Sequence, residues 1–119
     1  MNTNELYPEL VDYIYDYADK FKTEKEHIAH RMLIYARKGM SASTLNRMKG
    51  LGWYDDGEEI KAMVAGGYEV FKRKVVERIY REHRHELNLN CCPKCGKITR
   101  TPWAKQCRFC FHQWHLRKY

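Results

Sequence analysis

The sequence predicts a mainly α protein: a small bundle of three to four helices over residues 1–89, followed by a short β-hairpin module over residues 90–119. Three observations carry the prediction. Apolar residues recur at three- and four-residue steps between Leu6 and Leu87, the spacing that gathers them on one face of a helix. All 15 acidic residues lie within residues 1–87, where 15 of the 22 basic residues balance them, so the whole formal charge of +7 falls in residues 88–119. All five cysteines lie between Cys91 and Cys110, in a stretch too short to build a core from apolar side chains alone.

With 44% hydrophobic and 31% charged residues, a chain of 119 residues has material for one modest core; disorder and large cofactor-binding architectures are not expected. Mean hydropathy is −0.76, and no apolar run approaches the ~18 residues that a membrane span needs, so no membrane association is expected. The opening residues Met-Asn-Thr-Asn-Glu have neither a basic flank nor an apolar continuation. A secretory signal is therefore not expected, and the cytoplasm is the expected compartment.

Residues 1–21 read as the first helix, with Leu6, Leu10, Tyr13, Ile14, Tyr17 and Phe21 on its apolar face and Glu5, Glu9, Asp12, Asp16 and Asp19 on its polar one. Pro8 does no harm in a first turn, where an N–H would lack a helical partner anyway. Thr23 and Glu26 have capping-box spacing, the hydroxyl accepting from an orphan N–H and the carboxylate reaching back. They open a second helix from about Glu24 to Lys38, which Gly39 ends because glycine takes left-handed backbone angles freely. Ser41 to Lys49 reads as a short third helix closed by Gly50 and Gly52. After the loop Trp53–Gly57, a long fourth helix is expected from Gly57 or Glu58 to Leu87, with the stripe Ile60, Met63, Val64, Gly67, Phe71, Val75, Ile79, His83 and Leu87. Gly66-Gly67 interrupts it, at about 1 kcal/mol per glycine relative to alanine. With Ala62 and Ala65 beside it, the pair is read as a place of close helix packing; a kink is the other reading.

The cysteines follow the spacing C-x2-C-x11-C-x2-C: Cys92-Pro93-Lys94-Cys95-Gly96, eleven residues, then Cys107-Arg108-Phe109-Cys110. A C-x-x-C pair folds as a tight turn that aims two sulfurs at one point, and backbone N–H groups in the turn stabilise thiolates. Two such turns give tetrahedral S4 coordination, which suits Zn2+. Lys97–Thr101 and Ala104–Gln106 read as the two arms of the hairpin, with Pro102 near the bend. This stretch, residues 92–110, resembles the zinc-ribbon class with its two rubredoxin-like knuckles. Cys92, Pro93, Cys95 and Gly96 match the first knuckle; Cys107 and Cys110 match the second, which departs from the class at Phe111, where glycine is usual. The resemblance implies one Zn2+ per chain; zinc ribbons serve both nucleic-acid machinery and protein docking, so it does not by itself choose between them. A thioredoxin-like redox pair lacks its βαβ surroundings here, and iron in a rubredoxin-like site is the other metal reading. Cys91 is read as a spare thiol, and His112 and His115 as surface residues.

Four thiolates and Zn2+ together contribute about −2, which leaves the module at roughly +5. Lys94, Lys97, Arg100, Lys105, Arg108 and Arg117 are the expected phosphate contacts, with Trp114 as a ring on which an unpaired base could stack. The competing reading is that Trp103 and Trp114 cover the knuckles as a miniature core. A second resemblance lies at residues 34–49, where Gly39-Met-Ser-Ala-Ser-Thr-Leu-Asn-Arg47 is similar to the turn and recognition helix of a helix-turn-helix. It would offer Ser43, Thr44, Asn46, Arg47 and Lys49 to DNA. Tyr35 stands where a small residue is needed and Lys38 where an apolar one is usual, which favours a plain capped helix in a bundle.

No glycine-rich phosphate loop and no H-E-x-x-H occurs, and His27 with His30 offers two metal ligands without a third. No nucleophile, base and electrostatic partner assemble, so catalysis is not expected. The expected function is that of a non-catalytic zinc-binding protein that binds nucleic acid, DNA or RNA, or serves a nucleic-acid complex as an accessory factor. The alternative is an adaptor whose ribbon and first helix dock a larger protein assembly.

Overall fold

A computed structural model describes residues 6–52 and 57–114. It is mainly helical: α1 (Pro8–Tyr17), a 3-10 turn (Asp19–Phe21), α2 (Glu24–Lys38), α3 (Ala42–Gly50), α4 (Glu58–Val64), α5 (Tyr68–His83) and a second 3-10 turn (Arg84–Glu86). No helix among the described residues is long and apolar enough to cross a membrane.

Two compact units are formed. One spans Lys20–Val75; the other joins the chain up to Asp19 with the chain from Val76 onward. This partition differs from the boundary at residues 89 and 90 expected from charge and composition. The first helix and the second half of α5 belong with the cysteines.

Within Lys20–Val75, α2 packs on α4. The capping box at α2 is complete: Glu26 N donates to Thr23 Oγ1 at 3.1 Å and Thr23 N donates to Glu26 Oε1 at 2.8 Å. This exchange explains how Glu26 is buried at the head of a helix. Gly39 at the other end is left-handed, with φ 66°. Ala29, Ile60, Phe71 and Val75 are the unit's buried apolar residues, and Lys25 pairs with Glu59 on the surface. At α3 the Ser41 hydroxyl accepts from Thr44 N at 3.3 Å.

The long fourth helix expected from Gly57 or Glu58 to Leu87 is two helices. Gly67 takes φ 88°, outside the helical region, and its N–H turns back to Val64 O at 3.0 Å. Phe71 N then donates to Gly67 O at 3.0 Å, the first bond of α5. The bare Cα of Gly66 serves the same break, because a Cβ there would stand 2.7 Å from Val70 Cγ1 and 2.9 Å from Val70 Cβ. The glycine pair is therefore a corner and not a seat for another helix.

In the other unit, α1 buries Leu10, Val11, Tyr13, Ile14 and Tyr15, with Leu6 and Ala18 at its ends. The apolar surface is wider than the expected stripe, and Tyr17 lies outside it as an exposed residue. Val76, Ile79 and Tyr80 of α5 and Cys92, Ile98, Thr99 and Cys107 complete the buried set.

The hairpin expected from Lys97–Thr101 and Ala104–Gln106 is not formed as a pair of strands, and no sheet occurs among the described residues. Two isolated antiparallel bridges are present instead, Cys91 with Ile98 and Gln106 with Gln113. Each arm folds back on its own knuckle. The Ile98 N–H, which a hairpin partner would need, is given to the hydroxyl of Tyr7 at 2.7 Å.

Candidate metal centre

The two C-x-x-C turns are folded alike. In the first, Cys92 N donates to Lys97 O at 2.8 Å and Gly96 N to Cys92 O at 2.9 Å. In the second, Cys107 N donates to His112 O at 2.8 Å and Phe111 N to Cys107 O at 3.1 Å. Two backbone N–H groups then reach each leading sulfur. Lys94 N and Cys95 N lie 3.3 and 3.4 Å from Cys92 Sγ, and Phe109 N and Cys110 N lie 3.3 and 3.4 Å from Cys107 Sγ. The turn requires a left-handed residue after its second cysteine. Gly96 supplies it with φ 80°, and Phe111 takes the same conformation with φ 63°. The departure from glycine at Phe111 therefore leaves the second turn intact, at a cost of roughly 1–2 kcal/mol for a residue with a Cβ.

The sulfurs of Cys92, Cys95, Cys107 and Cys110 all lie within 4.8 Å of one another. Across the knuckles, Cys92 Sγ is 3.7 Å from Cys110 Sγ and Cys95 Sγ is 3.5 Å from Cys107 Sγ. A tetrahedral S4 site with metal–sulfur bonds near ~2.3 Å has edges of about 3.8 Å. The four side chains thus stand where they could hold a metal ion with little rearrangement.

The electrostatics favour a cation at the same point. Burial opposes ionisation of Cys107, but the N–H groups of Cys110 and Phe109 and the adjoining Cys95 and Cys110 thiols outweigh it and bring its pKa down to about 6. At Cys95 the N–H of Lys97 favours the thiolate, yet burial and the three neighbouring sulfurs push it up to about 11. Sulfurs this close cannot all ionise on their own, whereas a coordinated divalent cation deprotonates its thiol ligands. Cys91 is exposed and stands outside the cluster, with its thiol raised by local burial and by the adjoining Cys92.

The surroundings that hold the knuckles were not visible in the cysteine spacing. Tyr7 accepts from Ile98 N and sets its ring edge-on to Phe109, with centroids 6.1 Å apart. The Tyr13 hydroxyl donates to Asn88 O at 3.4 Å and accepts from Asn90 N at 3.2 Å. Burial raises the pKa of both phenols, which keeps them neutral as hydrogen-bonding groups. Asn90 is the hub of the segment between the knuckles. Its amide donates to Thr101 O at 3.0 Å and Ala104 O at 2.9 Å, and its carbonyl accepts from Thr99 N at 3.0 Å. The Thr99 hydroxyl, fully buried, lies 2.7 Å from Asn90 O and 2.8 Å from Thr101 O.

The basic residues singled out from the sequence are only partly gathered. Arg100, Lys105 and Arg108 come together around a groove of 280 Å³, with Ala104, Gln106, Cys107 and Phe111 as its other walls. Lys94 and Lys97 are exposed on the first knuckle, Lys97 with its ammonium 4.8 Å from the centre of the Phe109 ring. Trp114 is half-buried and stacks with His112 at 5.9 Å, while Trp103 is 74% exposed with the Tyr17 ring edge-on to it. Neither tryptophan is buried; the buried residues of this segment are Cys92, Ile98, Thr99 and Cys107. Arg117 and His115 lie outside the described residues. Arg47 is exposed on α3, in the other unit. Residues 42–50 form a capped helix none of whose residues is buried, and α2 packs on α4.

No protein-family model, no curated protein and no solved structure matches the chain.

Proposed function

We propose that this chain is a non-catalytic, zinc-dependent nucleic-acid-binding protein, or the nucleic-acid-contacting accessory of a larger complex. Cys92, Cys95, Cys107 and Cys110 would hold one Zn2+ per chain, whose chemistry here is structural: it closes both knuckles on one point. The observation that carries the reading is the gathering of Arg100, Lys105 and Arg108 around one groove of a module with no acidic residue between positions 88 and 119. Among the described residues none of the three has a carboxylate partner. Cations held this way by a rigid centre are suited to phosphates, and they act by releasing counterions. Zinc is preferred to iron because the site is a closed S4 set built for structure, the commonest use of that coordination.

For the adaptor reading, the face of α1 left to dock a partner is the one with Asp12, Asp16 and Tyr17, since Leu10, Tyr13 and Ile14 are buried. Two measurements test the proposal. Elemental analysis of reduced protein should find one zinc per chain. Binding to duplex DNA should weaken with salt at a log–log slope of roughly −4, as four to five phosphate contacts require. Arg100→Glu with Arg108→Glu should flatten that slope for every sequence, since phosphate contacts carry little sequence information. A chain that binds neither DNA nor RNA at low salt would return the adaptor reading to first place.

A further inference from the structure

The two knuckles correspond position for position, Cys91 to Ile98 in the first with Gln106 to Gln113 in the second. They differ in what occupies the left-handed position. Gly96 fills it in the first and Phe111 in the second, at φ 63°. Aromatic side chains rarely adopt this conformation. A strained residue persists only where its surroundings hold it, and such residues cluster at binding sites. Phe111 gains nothing from core packing in return, since it is 70% exposed and meets no other ring among the described residues. The other aromatic residue of the turn, Phe109, is spent internally on Tyr7 and the Lys97 and Arg108 cations. Phe111 instead forms a wall of the groove that Arg100, Lys105 and Arg108 line.

We propose that this groove is a subsite for one unpaired nucleotide of a single strand, with the base stacked on Phe111 and the phosphate held by Arg100, Lys105 and Arg108. The inference rests on the nucleic-acid reading above and sharpens it from polyanion binding to single-strand recognition. Its size is that of a shallow subsite: 280 Å³ lies just under the roughly 300–1,000 Å³ of small-molecule pockets, so one nucleotide would be seated only in part and the rest of the strand would lie outside. Its chemistry agrees as well. An exposed ring beside cations is the pairing that single-strand binders use, since every base has a face to stack and every nucleotide a phosphate. Cys107 is the one anionic wall, as a ligand of the metal centre; no carboxylate lines the groove, and three cations face it.

The test compares zinc-loaded full-length wild type with Phe111→Gly and Phe111→Leu on three probes: a short DNA single strand, the same strand with abasic sites, and its duplex. Phe111→Gly gives the second knuckle the residue that the first already has, so the fold is retained. Retained zinc content verifies this. The expected result is a loss of about tenfold to a hundredfold on the intact single strand for Phe111→Gly. The loss should be nearly as large for Phe111→Leu, and the abasic strand and the duplex should be little affected. An equal loss on all three probes, or no loss on the single strand while wild type still binds it with a steep salt slope, overturns the nucleotide subsite and leaves the general reading in place. Absence of wild-type binding to any of the probes, and to an RNA strand of the same sequence, overturns both.

Discussion

In the unit of residues 20–75 the hydrogen bonds that set the helix starts are local. Thr23 and Glu26 exchange hydrogen bonds three positions apart, and Ser41 caps Thr44 at the same spacing. The cysteine-bearing unit is tied across the chain. Tyr13 meets Asn88 and Asn90 at separations of 75 and 77 residues, and Tyr7 meets Ile98 at 91. Local bonds form as soon as a helix forms. Distant ones must first overcome the entropy of closing a long loop, and something has to supply that free energy. A metal bound by four thiolates is a sufficient source, since structural zinc contributes roughly 10–16 kcal/mol of apparent free energy in small zinc modules. A metal held by the four cysteines would therefore act beyond their own segment, on the distant bonds that Tyr7 and Tyr13 make.

Metal removal should break this symmetry of order most strongly. On chelation, or in Cys107→Ser, amide protection at Ile98, Thr99 and Cys107 should vanish and protection in α1 should fall with it. The amides of Glu24–Lys38 should stay protected. Hydrogen exchange with and without chelator reads both units at once. Uniform loss across the chain would show that residues 20–75 depend on the metal too, and an unaffected α1 would show that its tyrosines are passengers. The bonds made by Tyr7 and Tyr13 extend the expected loss beyond the cysteine segment to α1.

Removing Asn90 comes next. Asn90→Ala deletes two donors at once and leaves Thr101 O and Ala104 O without them. A cost of about 2 kcal/mol is expected, confined to the cysteine unit, and visible as a weaker hold on zinc in competition with a chromogenic chelator. In the other unit, Thr23→Ala should cost about 1 kcal/mol by opening the capping box. That variant should lower the thermal stability of α2 and leave zinc affinity untouched. If zinc affinity moved as much as α2 stability, the distinction between locally and distantly held units would fail.

What was legible in the sequence follows the same division. The second helix was readable to its ends because Thr23, Glu26 and Gly39 determine them within a few residues of the chain. The ligand cluster was readable because each pair sits in one turn, and the turn needs only its own backbone. No motif marks Asn90 as a hub, and Val11 and Tyr15 fall outside the apolar stripe that periodicity gives the first helix. Their roles come from partners far along the chain, which periodicity does not reveal. The break at Gly66-Gly67 is visible in the sequence but its cause is not, because the residue that Gly66 must avoid is Val70 on the next helix and not a distant neighbour. The charge pattern singled out residues 88–119 as a whole. It did not foretell that Arg100, Lys105 and Arg108 would share a groove with Phe111.

The smallest expected effect sharpens the comparison within the metal centre itself, between its two knuckles. Gly96→Ala adds a Cβ at φ 80°, where there is open space within 4 Å, so its whole cost is conformational. It should be about 1 kcal/mol. Phe111→Gly is the reverse change at the equivalent position, and relief of the left-handed strain should stabilise the turn. Glycine also loosens the unfolded chain, which offsets part of the gain, so a net stabilisation of about 0.5 kcal/mol is expected. Thermal melts of the zinc-loaded proteins should therefore move in opposite directions, downward for Gly96→Ala and slightly upward for Phe111→Gly. A variant that gains stability while losing affinity for a single strand would mean that the phenyl ring is kept for binding at the expense of the fold. A clear loss of stability on Phe111→Gly would instead mean that the exposed ring packs usefully, and the strain at φ 63° would need no ligand to explain it.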